Sequence, residues 1–226
     1  MLVLFPFEEV YYREHGVPAT FVGHPAADEI GEVDQVAAQR ELARLGVSVT
    51  GELVALLPGS RVSEIRHLAP VFIDTAIRLS KIRPGIRFVV PYASDKVERE
   101  FRKFCPRGTG PENVQGIQGN ARLAMAGSDL VLLASGTAAL EAALLERPMV
   151  VAYKVSGLSY VLVRMFAKVK HVSMPNHLTA RPMVPEYLQG RARPQLLCGE
   201  LNRLLDESAA RIRIEESFKD LRGVLK

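Results

Sequence analysis

Asp129-Leu-Val-Leu-Leu-Ala-Ser-Gly-Thr-Ala-Ala-Leu-Glu141 indicates the type of fold more directly than any other part of the sequence. Its apolar first part predicts a buried strand, and the residues that follow predict a tight turn and the start of a helix. Ser135 and Thr137 supply hydroxyl groups, and Gly136 lets another molecule approach the backbone closely. Unpaired N–H groups and the helix dipole favour negative charge at a helix N-terminus, so this turn is a candidate anion site.

Glu141 lies one helical turn beyond Thr137, so the two side chains share a face of the helix. A carboxylate does not bind phosphate, but it accepts hydrogen bonds from the two hydroxyl groups of a sugar diol. Groups that donate hydrogen bonds to phosphate, beside a carboxylate that accepts them from a diol, indicate a site for a nucleotide or a nucleotide sugar. An ordinary strand–helix turn capped by a hydroxyl is the alternative, and Ser-Gly-Thr alone does not decide between them.

A second predicted strand ends in a similar loop, Leu56-Leu-Pro-Gly-Ser-Arg61. Gly59 makes the turn, Ser60 adds a hydroxyl, and the planar guanidinium of Arg61 fits a diphosphate. A simple turn with a surface arginine is the alternative. Because ligands of parallel sheets bind at the carboxyl ends of the strands, two such loops together favour one shared site.

A third polar cluster is Ser173-Met-Pro-Asn-His177, which is followed by Arg181. The amide of Asn176 can hydrogen-bond a base or a diphosphate, and Arg181 adds positive charge. A polar loop in which Asn176 caps a turn is the alternative. His24, in a Gly-His-Pro turn, is interpreted as a structural or substrate-lining residue, because no carboxylate or nucleophile is paired with it in the sequence.

Apolar runs alternate with helical patterns, which predicts an α/β fold with a parallel sheet covered on both faces. The predicted strands are 53–57, 87–91, 113–116, 130–134 and 149–153, with a further candidate at 171–174. The predicted helices are 63–81, 95–104, 120–126, 137–146 and 158–168.

The two ends of the chain read differently from this central pattern. A short strand, a helix over 7–15 and a strand that ends in a turn predict the last pieces of a preceding domain. An acidic, poorly apolar stretch follows, and the C-terminal part is helical and rich in charge. The expected organisation is a remnant at 1–25, a linker at 26–48, a Rossmann-like domain at 49–193 and C-terminal helices at 194–226.

The bulk composition is that of a globular protein, with 226 residues of which 48% are hydrophobic. Two cysteines, Cys105 and Cys198, lack the spacing of a disulfide framework or a zinc site and fit a reducing cytoplasm. The net charge of +4 fits a polyanionic partner. The arginines of the chain are scattered, however, and its sequence has no Walker A loop, zinc finger or RNA-stacking motif. A nucleic-acid partner is therefore not expected.

The segment 158–170 places apolar residues among Arg164, Lys168 and Lys170. A basic amphipathic helix of this kind can lie on an anionic membrane surface. A core helix with a solvated basic edge is the alternative.

Taken together, these residues resemble the lipid-A-disaccharide synthase family of GT-B glycosyltransferases. The motifs that match span nearly the whole chain in the family's order. They are Phe21-Val-Gly-His-Pro25, Leu56-Leu-Pro-Gly-Ser-Arg61, Ala134-Ser-Gly-Thr-Ala-Ala-Leu-Glu141, Pro148-Met-Val-Val-Ala-Tyr153, and Val172-Ser-Met-Pro-Asn176 with Pro185-Glu186.

The resemblance implies a hexosyl transfer in the lipid A biosynthesis of Gram-negative bacteria. The family moves 2,3-diacylglucosamine from its UDP derivative to 2,3-diacylglucosamine 1-phosphate, which gives lipid A disaccharide 1-phosphate and UDP. Arg61 and the helix N-termini would offset the charge of the leaving diphosphate. Glu141 would bind the ribose, and Asn176 the uridine or the diphosphate. No metal and no cofactor are expected.

The resemblance also implies a cytoplasmic protein that is peripheral on the inner face of the cytoplasmic membrane, and a homodimer. Family members begin with a whole N-terminal domain that holds the acceptor pocket and the general base. We therefore expect a fragment that lacks most of that domain, binds UDP weakly and does not turn over. The alternatives are a cell-wall N-acetylglucosaminyltransferase, a UDP-sugar 2-epimerase or a non-catalytic membrane-surface module.

Overall fold

Six parallel strands form the main sheet of the computed structural model, which describes residues 1–105, 112–154, 171–179 and 182–226. The strands are β1 (Leu2–Val3), β2 (Thr20–Phe21), β3 (Leu53–Leu57), β4 (Arg87–Tyr92), β5 (Val114–Gln118), β6 (Leu130–Ala134), β7 (Met149–Tyr153) and β8 (Glu186–Leu188). The helices are α1 (Pro6–Glu14), α2 (Pro25–Glu29), α3 (Gln35–Arg44), α4 (Val62–Ile82), α5 (Asp95–Arg102), α6 (Ala121–Gly127), α7 (Thr137–Leu144), α8 (Met174–Leu178), α9 (Pro194–Asp206) and α10 (Ser208–Val224).

The strand order of the main sheet is β5-β4-β3-β6-β7-β8. From β3 the chain first builds outward on one side through β4 and β5, and it then returns to place β6 on the other side. Leu57 pairs with Leu133, so the carboxyl ends of β3 and β6 lie side by side. This reversal of strand order is the position where Rossmann-like sheets open a crevice for ligands. The two loops that the sequence singles out are thus neighbours.

The core of the sheet explains why its strands read as continuous apolar runs. Every residue of Leu53–Leu57 is buried, because helices cover both faces of a parallel sheet. In α4, Ile65, Phe72 and Leu79 are buried with no solvent exposure, at the spacing of one helix face. The α/β prediction and the predicted central strands and helices are confirmed in the described residues.

The predicted strand at 171–174 is wrong, and β8 was missed. Residues 174–178 form α8, in which Pro175 lies in the first turn. Proline lacks the N–H that a strand ladder needs, but it fits the first turn of a helix. The edge of the sheet is instead β8, a strand of three residues that pairs with β7. The helix predicted over 158–168 lies outside the described residues.

The structure differs from the expected linker at 26–48, because α2 and α3 are folded there. The Asp34 side chain caps α3 by accepting a hydrogen bond of 2.9 Å from the backbone N–H of Ala37. Leu42 is buried without exposure, and Gln39 Nε2 donates to the carbonyl of Gly127 at 3.1 Å. The acidic composition of the stretch concealed a short amphipathic helix. The other domain boundaries stay a prediction.

The C-terminal helices pack on the main body. Leu201 of α9 and Phe218 of α10 are buried with no exposure. Arg222 donates hydrogen bonds to the carbonyls of Gly31 and Leu144. Among the described residues, no helix is both long and apolar enough to cross a membrane.

The N-terminal residues form a small two-stranded parallel sheet of their own. Leu2 pairs with Thr20, and α1 lies between the two strands in the sequence. The predicted strand–helix–strand pattern is therefore confirmed, with shorter strands than expected. The backbone N–H of His24 donates to the carbonyl of Leu225 at 2.9 Å, so the end of α10 lies beside the turn that follows β2.

Candidate functional site

A cavity of about 500 Å³ opens at the carboxyl edge of the sheet, where β3 and β6 meet. Most of the residues predicted for the site share its walls. They are Gly59, Ser60, Arg61, Ser135, Gly136, Thr137 and Glu141. Asn176 and His24 do not line it, and Arg181 lies outside the described residues.

Sequence reasoning missed the wall of the cavity that β4 and β5 supply. Tyr92, at the end of β4, and the Gly119-Asn120 turn after β5 both line it. Burial raises the pKa of Tyr92 to about 12, so the phenol is neutral at physiological pH. Tyr92 meets the ring of Phe101 edge to face, with 5.6 Å between the ring centroids. The rule that ligands gather at strand ends could have found this wall, because it applies to β4 and β5 as well.

The loop after β3 is held by Glu64, three residues beyond Arg61. The Glu64 carboxylate accepts hydrogen bonds from the backbone N–H groups of Ser60, at 2.9 Å, and Arg61, at 3.2 Å. Its other oxygen lies 3.4 Å from the guanidinium of Arg61, whose side chain is 80% exposed. The N–H groups that the sequence assigned to an anion therefore already hold an internal carboxylate.

Two glycines of the cavity are expected to respond differently to alanine. Gly59 has a φ of +127°, and a Cβ there would collide with the Glu64 carboxylate. We expect Gly59→Ala to lower the free energy of unfolding by about 1–3 kcal/mol. Gly136 has an extended backbone and no atom within 4 Å of an added Cβ, so Gly136→Ala should leave that free energy unchanged. Urea unfolding of both variants measures this, and equal losses would contradict it.

The loop after β6 offers free donors at the start of α7. Among the described residues, no hydrogen-bond partner is found for the backbone N–H groups of Thr137 and Ala138. The hydroxyl of Ser135 is already used, because it donates to the carbonyl of Val172 at 2.6 Å. The helix N-terminus is thus the candidate anion-binding group of this loop, and the Ser135 hydroxyl holds the segment beside it.

Glu141 is paired with an arginine that the sequence did not point to. Arg122 donates to Glu141 Oε1 from Nε at 2.9 Å, and its Nη2 lies 2.8 Å from the same oxygen. Its Nη1 donates to Glu29 Oε2 at 3.0 Å. Hydrogen bonds to Glu141, and then to Glu29, raise the pKa of Arg122 above its usual value. Glu141 is 26% exposed and remains open to the cavity.

The predicted ligand role of Asn176 does not fit its surroundings. Asn176 is 4% exposed, and its Oδ1 accepts from the backbone N–H groups of Met183 and Val184, both at 2.9 Å. Its Nδ2 donates to the carbonyl of Val184 and to Glu186 Oε1, both at 2.8 Å. All four hydrogen-bonding positions of the amide are filled, so Asn176 organises the chain before β8 and does not face the cavity.

Glu186 completes this network from the start of β8. Its carboxylate accepts from the backbone N–H groups of Val172 and Ser173, each at 3.0 Å, and from the Ser173 hydroxyl at 2.6 Å. The Pro-Glu motif therefore anchors the segment that Ser135 holds from its other side.

His24 is held by local contacts, and its predicted structural or substrate-lining role stays a prediction. Its Nδ1 accepts a hydrogen bond from the backbone N–H of Ala26 at 3.1 Å, and its ring lies 5.2 Å from that of Phe5. In the part of the chain that the structure describes, no group of three or more His, Cys, Asp or Glu side chains could hold a metal ion.

Comparison with known proteins identifies the family. A family model described as lipid-A-disaccharide synthetase matches residues 1–223. The chain belongs to the lipid-A-disaccharide synthase family. Lipid-A-disaccharide synthase of Pseudomonas aeruginosa strain UCBPP-PA14 is 47% identical to it over 213 residues, which are 94% of this chain and 55% of the relative. That of Chromobacterium violaceum is 42% identical over 227 residues, covering 100% of this chain and 58% of the relative.

This member of the synthase family thus spans a little over half the length of the relatives it matches. Sequence similarity assigns the chain to this family, and not to the alternatives, the cell-wall N-acetylglucosaminyltransferases and the UDP-sugar 2-epimerases.

Solved structures share the fold at low sequence identity. A UDP-GlcNAc 2-epimerase from Neisseria meningitidis bound to UDP-GlcNAc has a TM-score of 0.61 at 14% identity, and the match covers 99% of this chain and 60% of that one. The C-terminal domain of a group 1 glycosyl transferase from Francisella tularensis has a TM-score of 0.57 at 14% identity, covering 85% and 94%. The predicted GT-B type of α/β fold is confirmed.

Proposed function

We propose that this chain binds the UDP-sugar donor of a lipid-A-disaccharide synthase in the cavity between β3 and β6. One observation carries the proposal: free helix N–H groups, an exposed arginine and a carboxylate surround a single space at the switch point of the sheet. At about 500 Å³, the space is within the usual range of small-molecule sites, roughly 300–1,000 Å³.

The arrangement suits the three parts of UDP. The diphosphate fits the end where Arg61 and the N–H groups of Thr137 and Ala138 lie, because each favours negative charge. The ribose hydroxyls fit Glu141, which accepts hydrogen bonds. The uracil fits the wall formed by Tyr92 and Asn120, where a buried aromatic ring lies beside a polar turn. The relative from Neisseria, which holds UDP-GlcNAc, supports this choice of ligand.

The same groups would assist the departure of UDP. Breaking the sugar–phosphate bond leaves negative charge on the diphosphate, and fixed donors aimed at that charge lower the barrier. The donors of α7 are already in place, whereas those of Ser60 and Arg61 become available only when Glu64 releases them. In this proposal the acceptor sugar and the general base belong to the part of the longer family chains that these residues do not match.

The full reaction proposed is the family's transfer of 2,3-diacylglucosamine from UDP to 2,3-diacylglucosamine 1-phosphate. Because both sugars carry acyl chains, the reaction is proposed to take place on the inner face of the cytoplasmic membrane. The enzyme is also proposed to be a homodimer, as the resemblance to the family implies. Co-sedimentation with anionic vesicles and sedimentation equilibrium measure these two points. A chain that stayed monomeric and off the vesicles would count against both.

Calorimetric titration of UDP into the parent chain and Glu141→Ala tests the proposed function. The parent should bind, and the variant should bind about 10- to 100-fold more weakly, because hydrogen bonds to a charged group are lost. Glu41→Ala is the matched control, since Glu41 is an exposed carboxylate of α3, outside the cavity. A parent that does not bind UDP, or a Glu141→Ala chain that binds equally well, would contradict the proposal.

A further inference from the structure

Arg122 contacts a residue that lines the cavity, Glu141, but does not line the cavity itself. It lines a separate hollow formed by residues 29–34 together with Ala126 and Leu145. From there its guanidinium reaches Glu141, whose carboxylate does line the cavity. Any effect of Arg122 on a ligand in the cavity would therefore act through Glu141.

The geometry of this pair divides the carboxylate of Glu141 into two unlike oxygens. Nε of Arg122 donates a hydrogen bond to Oε1 at 2.9 Å, and Nη2 lies 2.8 Å from the same oxygen. Two nitrogens of the guanidinium thus lie against Oε1, and one of them is hydrogen-bonded to it. Among the described residues, none hydrogen-bonds Oε2. In the structure without a ligand, Oε2 is therefore the freer of the two oxygens.

The position of Arg122 argues that the pair is not there for the helix. Arg122 lies in the first turn of α6, where the helix dipole disfavours a positive charge. Its side chain is 45% exposed and that of Glu29 is 57% exposed, so their ion pair contributes little to stability. Glu29 instead holds the third nitrogen, Nη1, at 3.0 Å, which fixes the plane of the guanidinium.

We propose that Arg122 is a positioning residue that engages Oε1 of Glu141 and leaves Oε2 the freer oxygen, so that the site binds one of the two ribose hydroxyls more strongly than the other. The inference rests on the proposed function. A carboxylate with both oxygens free accepts the two hydroxyls of a diol about equally. With Oε1 occupied, the hydroxyl nearest Oε2 makes the strong hydrogen bond. Arg122 is thereby a determinant of ribose recognition without touching the ribose.

The test compares the affinities of UDP, 2′-deoxy-UDP and 3′-deoxy-UDP by calorimetry. In the parent chain, loss of one hydroxyl should weaken binding about tenfold more than loss of the other. In Arg122→Ala the carboxylate is free to rotate, and the contrast between the two analogues should fall to less than about threefold. The melting temperature should stay unchanged, because the ion pairs removed are exposed. Arg44→Ala, which removes a more exposed arginine of α3 that also pairs with a glutamate, should keep the parent's contrast.

Arg122→Lys separates geometry from charge. A lysine keeps the positive charge on a single nitrogen, so it cannot hold Oε1 of Glu141 and Glu29 with the separate nitrogens of one rigid plane. It should lose most of the contrast, as alanine does. A lysine variant with the whole contrast of the parent would overturn the proposed role of the guanidinium plane.

Other results also decide the inference. A parent that binds UDP, with an Arg122→Ala variant that keeps the contrast, overturns this inference and leaves the proposed function standing. Arg122→Ala could also lose affinity for UDP but not for uridine and keep the contrast between the two deoxy analogues. That result would mean that Arg122 acts on the phosphates, and it would overturn the inference as well. A parent that does not bind UDP overturns the proposed function and this inference together.

Discussion

Asn176→Ala should lower the free energy of unfolding by about 2–4 kcal/mol in the absence of any ligand. The substitution removes the acceptor of two backbone N–H groups, that of Val184 in a buried position and that of Met183 in a partly buried one. It also removes a donor from the carboxylate of Glu186, which is 10% exposed. Each buried polar group that loses its partner carries a desolvation cost, and these costs fall on one short stretch of chain.

Urea unfolding followed by circular dichroism measures this loss. Asn202→Ala is the control, because the amide of Asn202 bonds the side chains of Arg83 and Asp206 in a more accessible place. We expect less than about 1 kcal/mol from the control. A stable Asn176→Ala chain that has lost UDP affinity would instead restore the ligand role that the sequence suggested.

Arg61→Ala and Glu64→Gln should change the affinity for UDP in opposite directions. Arg61→Ala removes the exposed guanidinium from the diphosphate end and should weaken UDP binding about 10- to 100-fold. Glu64→Gln removes the negative charge that occupies the N–H groups of Ser60 and Arg61. A neutral amide holds these donors less strongly, so the diphosphate displaces it more easily and UDP binds more tightly.

Uridine is the ligand that isolates this effect, because it lacks the diphosphate. Its affinity should be nearly the same for the parent and both variants, and Arg44→Ala should behave as the parent with either ligand. Should Glu64→Gln weaken UDP binding, the carboxylate would be a necessary support of the loop and not a competitor of the ligand.

Local pattern was enough to predict the cavity's two central loops. Each follows a buried strand directly, and the turn residues and helix start lie within a few positions of one another in the sequence. Arg61 and Ser135 are far apart along the chain. The rule that ligands bind at strand ends nevertheless predicts that their loops share one site.

The partners of the charged groups could not be predicted in this way. Arg122 is 19 residues from Glu141 and 93 from Glu29, and no periodicity links the three. The contacts of Asn176 could not be predicted for the same reason, since its residue type allows a ligand role or a structural role. Glu64 was near enough to notice, but its turn back onto Ser60 depends on the backbone conformation of Gly59.

The elements that were missed gave weak signals. The strand β8 has three residues, too few for an apolar pattern. The helix α3 did carry a capping aspartate, Asp34, but the acidic residues before it favoured a linker. In both cases packing against a neighbour, β7 or α6, supplies the stability that the local sequence lacks.

The side-by-side placement of β3 and β6 has a consequence for cohesion. The strands on the two sides of this junction come from separate stretches of the chain, and the cavity spans the seam between them. A nucleotide bound in the cavity would hold the two halves of the sheet together, because it contacts both halves and does not bind either half alone. By mass action it would strengthen the whole sheet by about 2.7 kcal/mol at a hundred times its dissociation constant. The substrate would then be a structural part of the protein for as long as it stays bound.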